Sequence, residues 1–180
     1  MRIISGKFGG RRFYPPADKW PTRPTTDIAK EGLYNILQNW IYFEAEIFLD
    51  LFGGTGNHCY EFISRGCRDA TYVDRHRPAV SFVRKTAKEL QIESELTIYA
   101  MDVFRFIKTN DKKYTTIFAG PPYDLKEIPE LPMLILTSGL LVEEGMLILE
   151  HNPNHRFQNN PFFEQVRNYG ETHFSFFIKK

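Results

Sequence analysis

The feature that most constrains the fold is the alternation of short apolar runs with longer helix-like stretches after residue 45. The apolar runs cover residues 47–49, 71–73, 96–99, 117–119 and 146–149. The helix-like stretches between them lie around residues 58–64, 78–90, 103–108 and 131–138. Five strands separated by helices are typical of an open, mostly parallel sheet with helices on both faces, so we predict an α/β fold.

The two ends of the chain depart from this alternation. "FEQVRNYG" (163–170) and "THFSFFIKK" (172–180) are strand-like and predict an antiparallel hairpin on the sheet edge. "MRIISG" (1–6) and "RRFYP" (11–15) predict a hairpin joined through residues 7–10, and four prolines then predict a stiff linker. We therefore expect an N-terminal hairpin and linker over residues 1–24 and a single domain over 25–180. Its first helix should begin at Thr26 or Asp27, and its buried face is expected to hold Ala29, Leu33, Ile36, Leu37 and Trp40.

Charge is distributed unevenly along the chain. The net charge is +1, but residues 1–30 hold seven basic and two acidic groups, which leaves that segment at +5 and the remainder at −4. A basic hairpin on a mildly acidic body can bind phosphate backbones, although charge alone is equally consistent with a solvated surface hairpin. The candidate RNA-binding residues are Arg2, Lys7, Arg11 and Arg12.

Several classes of protein are excluded by composition. No apolar stretch is long enough to span a bilayer, so we expect no membrane segment. The two cysteines, Cys59 and Cys67, form no paired zinc-binding motif, and they indicate a reduced, cytoplasmic protein. His151 and His155 flank Pro153, which prevents the regular helix that would align them on a metal, so we expect no metal. We also expect a monomer.

The first strand is followed by a glycine-rich loop. "FLDLFGGTG" places its candidate ligand-binding residues at a strand end, where ligands of such sheets lie: Asp50, Phe52, Gly53, Gly54 and Gly56. Glycine allows the backbone to turn sharply and to approach a ligand closely. The loop lacks the Lys-Ser/Thr ending of a phosphate-binding loop, and the third glycine of a dinucleotide motif would fall near Cys59.

Acidic residues follow the next two strands. Asp74 is placed to accept hydrogen bonds from the hydroxyls of a ribose, with Arg75 beside it. Asp102 can accept from an adenine amino group, and Val103 can pack on the ring. For each carboxylate the alternative is an ordinary helix cap, and for Asp102 taken by itself the cap fits equally well. The succession of glycine loop, two acids and a further loop after consecutive strands is more specific than any one of these features.

That further loop is "FAGPPYD" (118–124). Two prolines followed by an aromatic ring suit a pocket that clamps a flat base, and the candidate catalytic residues are Gly120, Pro121, Pro122 and Tyr123. The residue expected before the prolines is Asp or Asn, but here it is Gly120. Pro121 retains a carbonyl acceptor, and Tyr123 offers a stacking face worth about 1–3 kcal/mol per base.

With these motifs the whole chain resembles the RsmD family of S-adenosylmethionine-dependent methyltransferases. The matching segments are "MRIISGKFGGRR", "RPTTD" (23–27), "DLFGGTG" (50–56), "EFISRG" (61–66) and "YGET" (169–172). The resemblance implies a Rossmann-like fold and methylation of guanine N2 in 16S (small-subunit) rRNA, at a site of the guanine(966) type. It implies that the glycine loop, Asp50, Asp74 and Asp102 hold S-adenosylmethionine. Arg23 and Thr25 would help close the pocket, and the hairpin and Tyr123 would contact RNA of the assembling small subunit.

The family's usual loop is Asp-Pro-Pro-Tyr/Phe, so Gly120 raises the question of activity. Three explanations are open: an altered position in an otherwise active enzyme, a nearby group such as Asp124 that supplies the acceptor, or lost catalysis in an RNA-binding or ribosome-assembly factor. Every cofactor-side residue is retained, which favours an enzyme. A DNA amino-methyltransferase is a weaker hypothesis that would share the loop, but the chain is short for that role and we expect no added target-recognition domain.

Overall fold

The computed structural model describes residues 1–21 and 23–180, and its centre is one seven-stranded sheet. The strands are β1 (Ile47–Leu51), β2 (Asp69–Asp74), β3 (Leu96–Ala100), β4 (Tyr114–Ala119), β5 (Leu141–His151), β6 (Phe163–Tyr169) and β7 (Thr172–Ile178). Their order is β3-β2-β1-β4-β5-β7-β6. The first five strands are parallel, and β7 is antiparallel to both β5 and β6. The predicted α/β fold with a C-terminal antiparallel hairpin is confirmed.

Five helices cover the two faces of this sheet. They are α1 (Asp27–Trp40), α2 (Asn57–Ser64), α3 (Arg77–Leu90), α4 (Val103–Thr109) and α5 (Leu131–Thr137). Side chains of α1, α2 and α3 share one apolar core with Phe48, Phe118 and Ile148 of the sheet. Side chains of α4 and α5 share the other core with Leu49 and Ala119. Successive strand residues therefore enter opposite cores, as the two-residue period of a strand requires. None of the helices in the described residues is long and apolar enough to cross a bilayer.

The strand order places a topological switch point between β1 and β4. From β1 the chain proceeds outward to β2 and β3, and it then returns to β4 on the opposite side of β1. Ligands of open α/β sheets bind outside the carboxyl ends of the strands at such a point. The fold therefore positions a site beyond Leu51 of β1 and Ala119 of β4.

Helix α1 follows the sequence prediction except at its end. The Thr26 side chain accepts a hydrogen bond from the Ala29 amide at 3.3 Å and caps the helix, while Leu33 and Leu37 are fully buried. Trp40, predicted to be buried, is 44% exposed. Its ring packs edge-on against Phe176 of β7, with centroids 5.4 Å apart, because only its inner side reaches the sheet.

The N-terminal hairpin has less strand structure than its sequence predicts. One antiparallel bridge joins Arg2 and Arg12, and residues 5–10 form turns. Some backbone amides bond across the hairpin, as from Ile3 to the Arg11 carbonyl at 2.9 Å, and others bond to α2. The amides of Ile4 and Ser5 donate to the carboxylate of Glu61, and the Lys7 amide donates to the Ser64 carbonyl at 2.7 Å. The hairpin is thus held both by a few hydrogen bonds between its own arms and by hydrogen bonds to α2.

A buried ion pair connects this hairpin to α1 and α2. Lys30 and Glu61 are both fully buried, and Lys30 Nζ lies 2.8 Å from Glu61 Oε1. The same ammonium donates to the Arg2 carbonyl at 2.8 Å and to Asn57 Oδ1 at 2.7 Å, so its three protons have three acceptors. Burial alone would raise the pKa of Glu61, but Lys30, the Ile4 amide and Arg65 bring that pKa below its usual value.

Loss of one member of this pair should destabilise the protein strongly, because it would leave an uncompensated buried charge. We expect Glu61→Gln to lower the free energy of unfolding by about 3–5 kcal/mol in urea denaturation. The control is Glu89→Gln, which removes an exposed partner of Lys85 on α3 and should change that free energy by at most about 1 kcal/mol. Equal changes in the two variants would show that the buried pair does not hold the hairpin in place.

Candidate active site

Two adjoining cavities lie at the carboxyl ends of the parallel strands. The larger has a volume of 370 Å³, and its lining includes Asp74, Arg75, Asp102, Val103 and Pro122. The smaller has a volume of 40 Å³, and its lining includes Thr25, Asp50, Gly53, Gly54 and Glu150. Arg23, Phe52 and Gly120 line both. The structure therefore brings together Gly53 and Gly54 of the glycine loop, the two acids and part of the 120–123 loop, which follow separate strands in the sequence. Three predicted site residues line neither cavity: Gly56, Pro121 and Tyr123.

The glycine loop is shaped by contacts that leave no room for larger residues. A Cβ at Gly53 would lie 2.4 Å from the Tyr72 ring, so this position requires glycine. The Tyr72 hydroxyl donates to the Gly54 carbonyl at 2.7 Å and fixes the turn. Gly54 and Gly56 have φ angles of 53° and 79°, which glycine adopts without strain. Phe52 has a φ of 60°, an unusual value for a residue with a side chain.

The acids after β2 and β3 are both engaged by the protein. Asp74 accepts from the amides of Gly54 at 2.9 Å and His76 at 2.8 Å, one on each oxygen. Asp102 caps α4 by accepting from the Arg105 amide at 3.1 Å, and its other oxygen lies 3.7 Å from Arg75. Each carboxylate oxygen retains a lone pair. The cap interpretation of Asp102 thus holds geometrically, and both acids still line the larger cavity.

The smaller cavity is rich in buried carboxylates. Asp50 is 1% exposed, and its only hydrogen-bond donor among the described side chains is the Cys59 thiol at 3.6 Å. Burial raises the pKa of Asp50 well above its usual range, and the nearby charges of Asp74 and Glu150 act in the same direction. A cationic ligand would relieve this repulsion, because opposite charge favours the ionised form of each acid.

A donor also faces this cavity without a partner among the described residues. Asn57 is 4% exposed; its Oδ1 accepts from Lys30, whereas its Nδ2 has no hydrogen-bond partner. A buried unpaired amide is costly, so such a group suits a ligand that brings an acceptor. An amino-acid moiety matches both features, since its carboxylate could accept from Asn57 and its ammonium could approach Asp50. The residues present therefore fit a ligand with an adenosine end and an amino-acid end.

The 120–123 loop closes the site on the side of β5. Pro121 is buried and Pro122 is half-buried. The Tyr123 ring turns inward, its hydroxyl donates to Glu150 Oε1 at 2.8 Å, and the Arg23 guanidinium lies 5.4 Å from its centroid. One face of this ring is thus covered by Arg23, which also lines both cavities.

Glu150, which sequence reasoning missed, accepts a chain of buried hydrogen bonds. Thr25 Oγ1 donates to its Oε2 at 2.5 Å, and Thr25 Oγ1 lies 3.1 Å from His58 Nε2. The Tyr34 hydroxyl lies 3.1 Å from His58 Nδ1. Burial raises the pKa of Glu150, while its bonds to Thr25 and Tyr123 and the charge of Arg23 oppose that shift. Burial also disfavours the charged form of His58: it lowers the pKa of this imidazole well below its usual value and keeps the ring neutral.

Sequence reasoning could have found Glu150 by the rule that found the other acids. It lies at the carboxyl end of a predicted parallel strand, as Asp50 does. Asp124, the acceptor that sequence analysis considered, is exposed and lines neither cavity. The structure therefore places a different carboxylate beside Gly120.

The basic candidates of the hairpin differ in their exposure. Lys7, Arg11 and Arg12 are exposed, whereas Arg2 is half-buried and lies 3.7 Å from both Asp27 and Glu31. These acids offset the charge of Arg2, so the free positive charge of this surface comes from the other three residues.

His151 and His155 lie with ring centroids 6.2 Å apart. Both nitrogens of His151 are within hydrogen-bond distance of protein groups, namely the Asn152 carbonyl at 2.7 Å and Ser175 Oγ at 2.8 Å. Residues 1–21 and 23–180 contain no group of three or more side chains placed to hold a metal ion.

Comparison with known proteins gives concordant matches. The family described as "Conserved hypothetical protein 95" matches residues 1–178. A Bacillus subtilis protein, YlbH, named as a candidate rRNA methyltransferase, is 35% identical over 155 residues, covering 84% of this chain and 83% of its own. The Ribosomal RNA small subunit methyltransferase D of Escherichia coli is 27% identical over 150 residues, which cover 83% of this chain and 74% of the E. coli protein.

Solved structures share the fold over most of the chain. The E. coli protein yhhF, described as a candidate methyltransferase, superposes with a TM-score of 0.85 at 23% identity and covers 100% of this chain and 98% of its own. The T. thermophilus 16S rRNA N2 G1207 methyltransferase RsmC, solved with AdoMet and guanosine, gives a TM-score of 0.69 at 20% identity. The match covers 87% of this chain and 44% of RsmC. With the match over residues 1–178, these findings show that the chain belongs to the RsmD-like family of Rossmann-fold methyltransferases.

Proposed function

We propose that this protein transfers a methyl group from S-adenosylmethionine to the exocyclic N2 of a guanine in small-subunit rRNA. The observation that carries the proposal is the pair of adjoining cavities, which share Gly120 and are lined by Asp74 and Asp102 on one side and by Asp50 and Glu150 on the other. Names of relatives support an rRNA substrate, and one structural neighbour was solved with both AdoMet and guanosine.

The residues divide between the two ends of the cofactor. Asp74 would accept from the ribose hydroxyls, and Asp102 and Val103 would face the adenine in the larger cavity. Asp50 and Asn57 would hold the amino-acid end in the smaller cavity. When bound, S-adenosylmethionine supplies a methyl group on a positively charged sulfur, so its leaving group needs little activation.

The acceptor is the difficult partner in this reaction. The lone pair of guanine N2 is delocalised into the ring, so the protein must orient N2 and bind its protons. The Pro121 carbonyl and the Tyr123 ring are the loop groups proposed to do this. The target base would have to leave its helix to reach Tyr123, which requires unstacking or flipping. Since Arg23 covers one face of Tyr123, the base would use the other face or displace Arg23.

The basic hairpin is the proposed contact to RNA outside the pocket. Lys7, Arg11 and Arg12 would bind phosphates around the target, with a smaller part for Arg2. A folded ribosomal substrate suits recognition by shape rather than by linear sequence. We propose that the protein acts as a monomer on the assembling small subunit, and therefore in the cytoplasm.

One observation favours a second candidate function. Gly120 removes the carboxylate expected in the loop, so the chain could bind cofactor and RNA as an assembly factor without catalysis. The retained cofactor-side residues favour the enzyme.

Methyl transfer is the direct test of these alternatives. We expect the purified protein to incorporate label from methyl-labelled S-adenosylmethionine into small ribosomal particles that lack the modification, with the label on guanine N2 after digestion. Particles that already carry the modification are the control and should accept none. Cofactor binding without any transfer would support the assembly-factor alternative.

Cofactor affinity tests the assignment of Asp74. We expect Asp74→Ala to weaken binding of S-adenosylhomocysteine about ten- to hundredfold in calorimetry, because hydrogen bonds to a charged group are worth about 1.5–3 kcal/mol. Asp69→Ala changes the same residue type at the other end of β2 and should leave the affinity unaltered. An unchanged affinity in Asp74→Ala would refute the ribose assignment.

Salt dependence tests the assignment of the hairpin. We expect the double variant Arg11→Ala and Arg12→Ala to bind rRNA more weakly and to flatten the slope of log affinity against log salt by about 2. Arg84→Ala with Lys85→Ala removes two exposed charges from α3 and should have no such effect. Identical slopes for both double variants would remove the hairpin from the interface.

A further inference from the structure

We propose that the carboxylate of Glu150 takes the place of the acid missing at residue 120 and accepts a hydrogen bond, and then a proton, from guanine N2. This inference rests on the proposed function, because it names the group that completes the same site. It assigns a catalytic role to a strand residue in place of a loop residue.

The register of the sheet brings Glu150 beside Gly120. In the β4–β5 ladder Phe118 pairs with Ile148 and Ala119 pairs with Leu149, so the next residues on the two strands lie at one level. Phe118 and Ile148 belong to the core under α1 to α3, and Ala119 and Leu149 belong to the opposite core. By alternation, Gly120 and Glu150 face the α1 to α3 side, which is also the side of Asp50.

Glu150 lies close enough to residue 120 for its carboxylate to replace the one that an Asp at residue 120 would supply. A Cβ at residue 120 would lie 3.9 Å from Glu150 Oε2, within reach of a short acidic side chain. Gly120 and Glu150 line the same cavity. The φ of Gly120 is not in the positive range, so its backbone does not require glycine. The space that the acid of an Asp-Pro-Pro-Tyr loop would occupy thus adjoins a carboxylate already in the fold.

The hydrogen bonds that Glu150 accepts favour its ionised form over its protonated form. The Tyr123 hydroxyl donates to Oε1, and the Thr25 hydroxyl donates to Oε2. Because the Thr25 proton is committed to Glu150, His58 Nε2 must donate to Thr25, which leaves Nδ1 to accept from the Tyr34 hydroxyl. Every donor in this series of hydrogen bonds points toward Glu150. Each carboxylate oxygen of Glu150 keeps a lone pair for a further donor.

The chemical step then balances without another reactant. A bond forms between N2 and the methyl carbon, the bond from that carbon to sulfur breaks, and its electron pair stays on sulfur. N2 is left with one proton in excess, and Glu150 accepts it. The raised pKa of this buried carboxyl makes it a better proton acceptor than an exposed acid.

The principal test combines Glu150→Gln with its matched control, Asp124→Asn. We expect Glu150→Gln to lower methyl transfer about 10²–10³-fold, the usual loss for one preorganised partner of a transition state. Asp124→Asn alters an exposed acid in the same loop and should retain full transfer. Loss of transfer in Asp124→Asn with full activity in Glu150→Gln would overturn the proposal.

Rescue distinguishes a catalytic role from a structural one. Gly120→Asp should raise transfer in the Glu150→Gln background by at least about tenfold, and by less in the wild-type background, where two neighbouring carboxylates compete. The Phe118 ring must shift slightly, because its Cε1 lies 3.0 Å from the new Cβ. Equal effects of Gly120→Asp in both backgrounds would show that the two carboxylates do not share one task.

A binding readout separates this inference from the proposed function. Guanosine and inosine differ by the N2 amino group, so we expect ligand-detected NMR with S-adenosylhomocysteine present to show preference for guanosine in the wild type. Glu150→Gln should reduce that preference, because a site built to bind an N–H discriminates against an analogue without it. Unchanged preference in a folded Glu150→Gln variant overturns the role of Glu150. Absence of transfer by the wild type, with preference intact, contradicts only the proposed function.

Discussion

The register of the β4–β5 ladder is the constraint on which the site depends. Residues 141 and 146 of β5 pair with residues 114 and 116 of β4, so β5 carries three extra residues between these two pairings. The irregularity includes Glu144, with a φ of 62°, whose amide donates to the Lys179 carbonyl of the neighbouring chain end at 2.7 Å. Without these three residues a different residue of β5 would lie level with Gly120.

This register places several carboxylates close together at the carboxyl ends of the strands, where they repel one another. Asp50, Asp74 and Glu150 are almost fully buried within one region, and burial together with mutual repulsion raises the pKa of Asp50. Backbone amides offset the cost at Asp74, and hydroxyls offset it at Glu150. At Asp50 the side-chain donor among the described residues is the weak Cys59 thiol. An ammonium and a sulfonium placed here would add positive charge to that of Arg23, which lines both cavities.

The fold could be predicted from sequence because its signals are local. Apolar runs and amphipathic stretches identified five strands and the helices between them, and the glycine loop and acids fell at strand ends as the topology requires. The departures arise from tertiary contacts. Glu61 takes backbone donors from the N-terminal hairpin, and Trp40 reaches the sheet with only one side of its ring.

Glu150 shows where sequence patterns stop being sufficient. Its position at the end of an apolar run is visible in the sequence, but its level relative to Gly120 depends on three extra residues of β5, which only the strand pairing reveals. The same holds for Asn57, whose free amide is evident only once Lys30 is seen to occupy its carbonyl oxygen. Which side chains lie next to each other depends on strand register and packing. The spacing of apolar residues along the sequence does not reveal it.

Gly120 becomes physically reasonable once Glu150 is placed beside it. Two carboxylates in contact in a dry pocket cannot both ionise readily, since each raises the pKa of the other. With Asp at residue 120, one of the two acids would tend to hold a proton. With Gly, Glu150 has no carboxylate at residue 120 to compete with it, and it receives two hydroxyl donors. In the role proposed for Glu150, the substitution removes one of two competing acceptors and leaves a carboxylate beside residue 120.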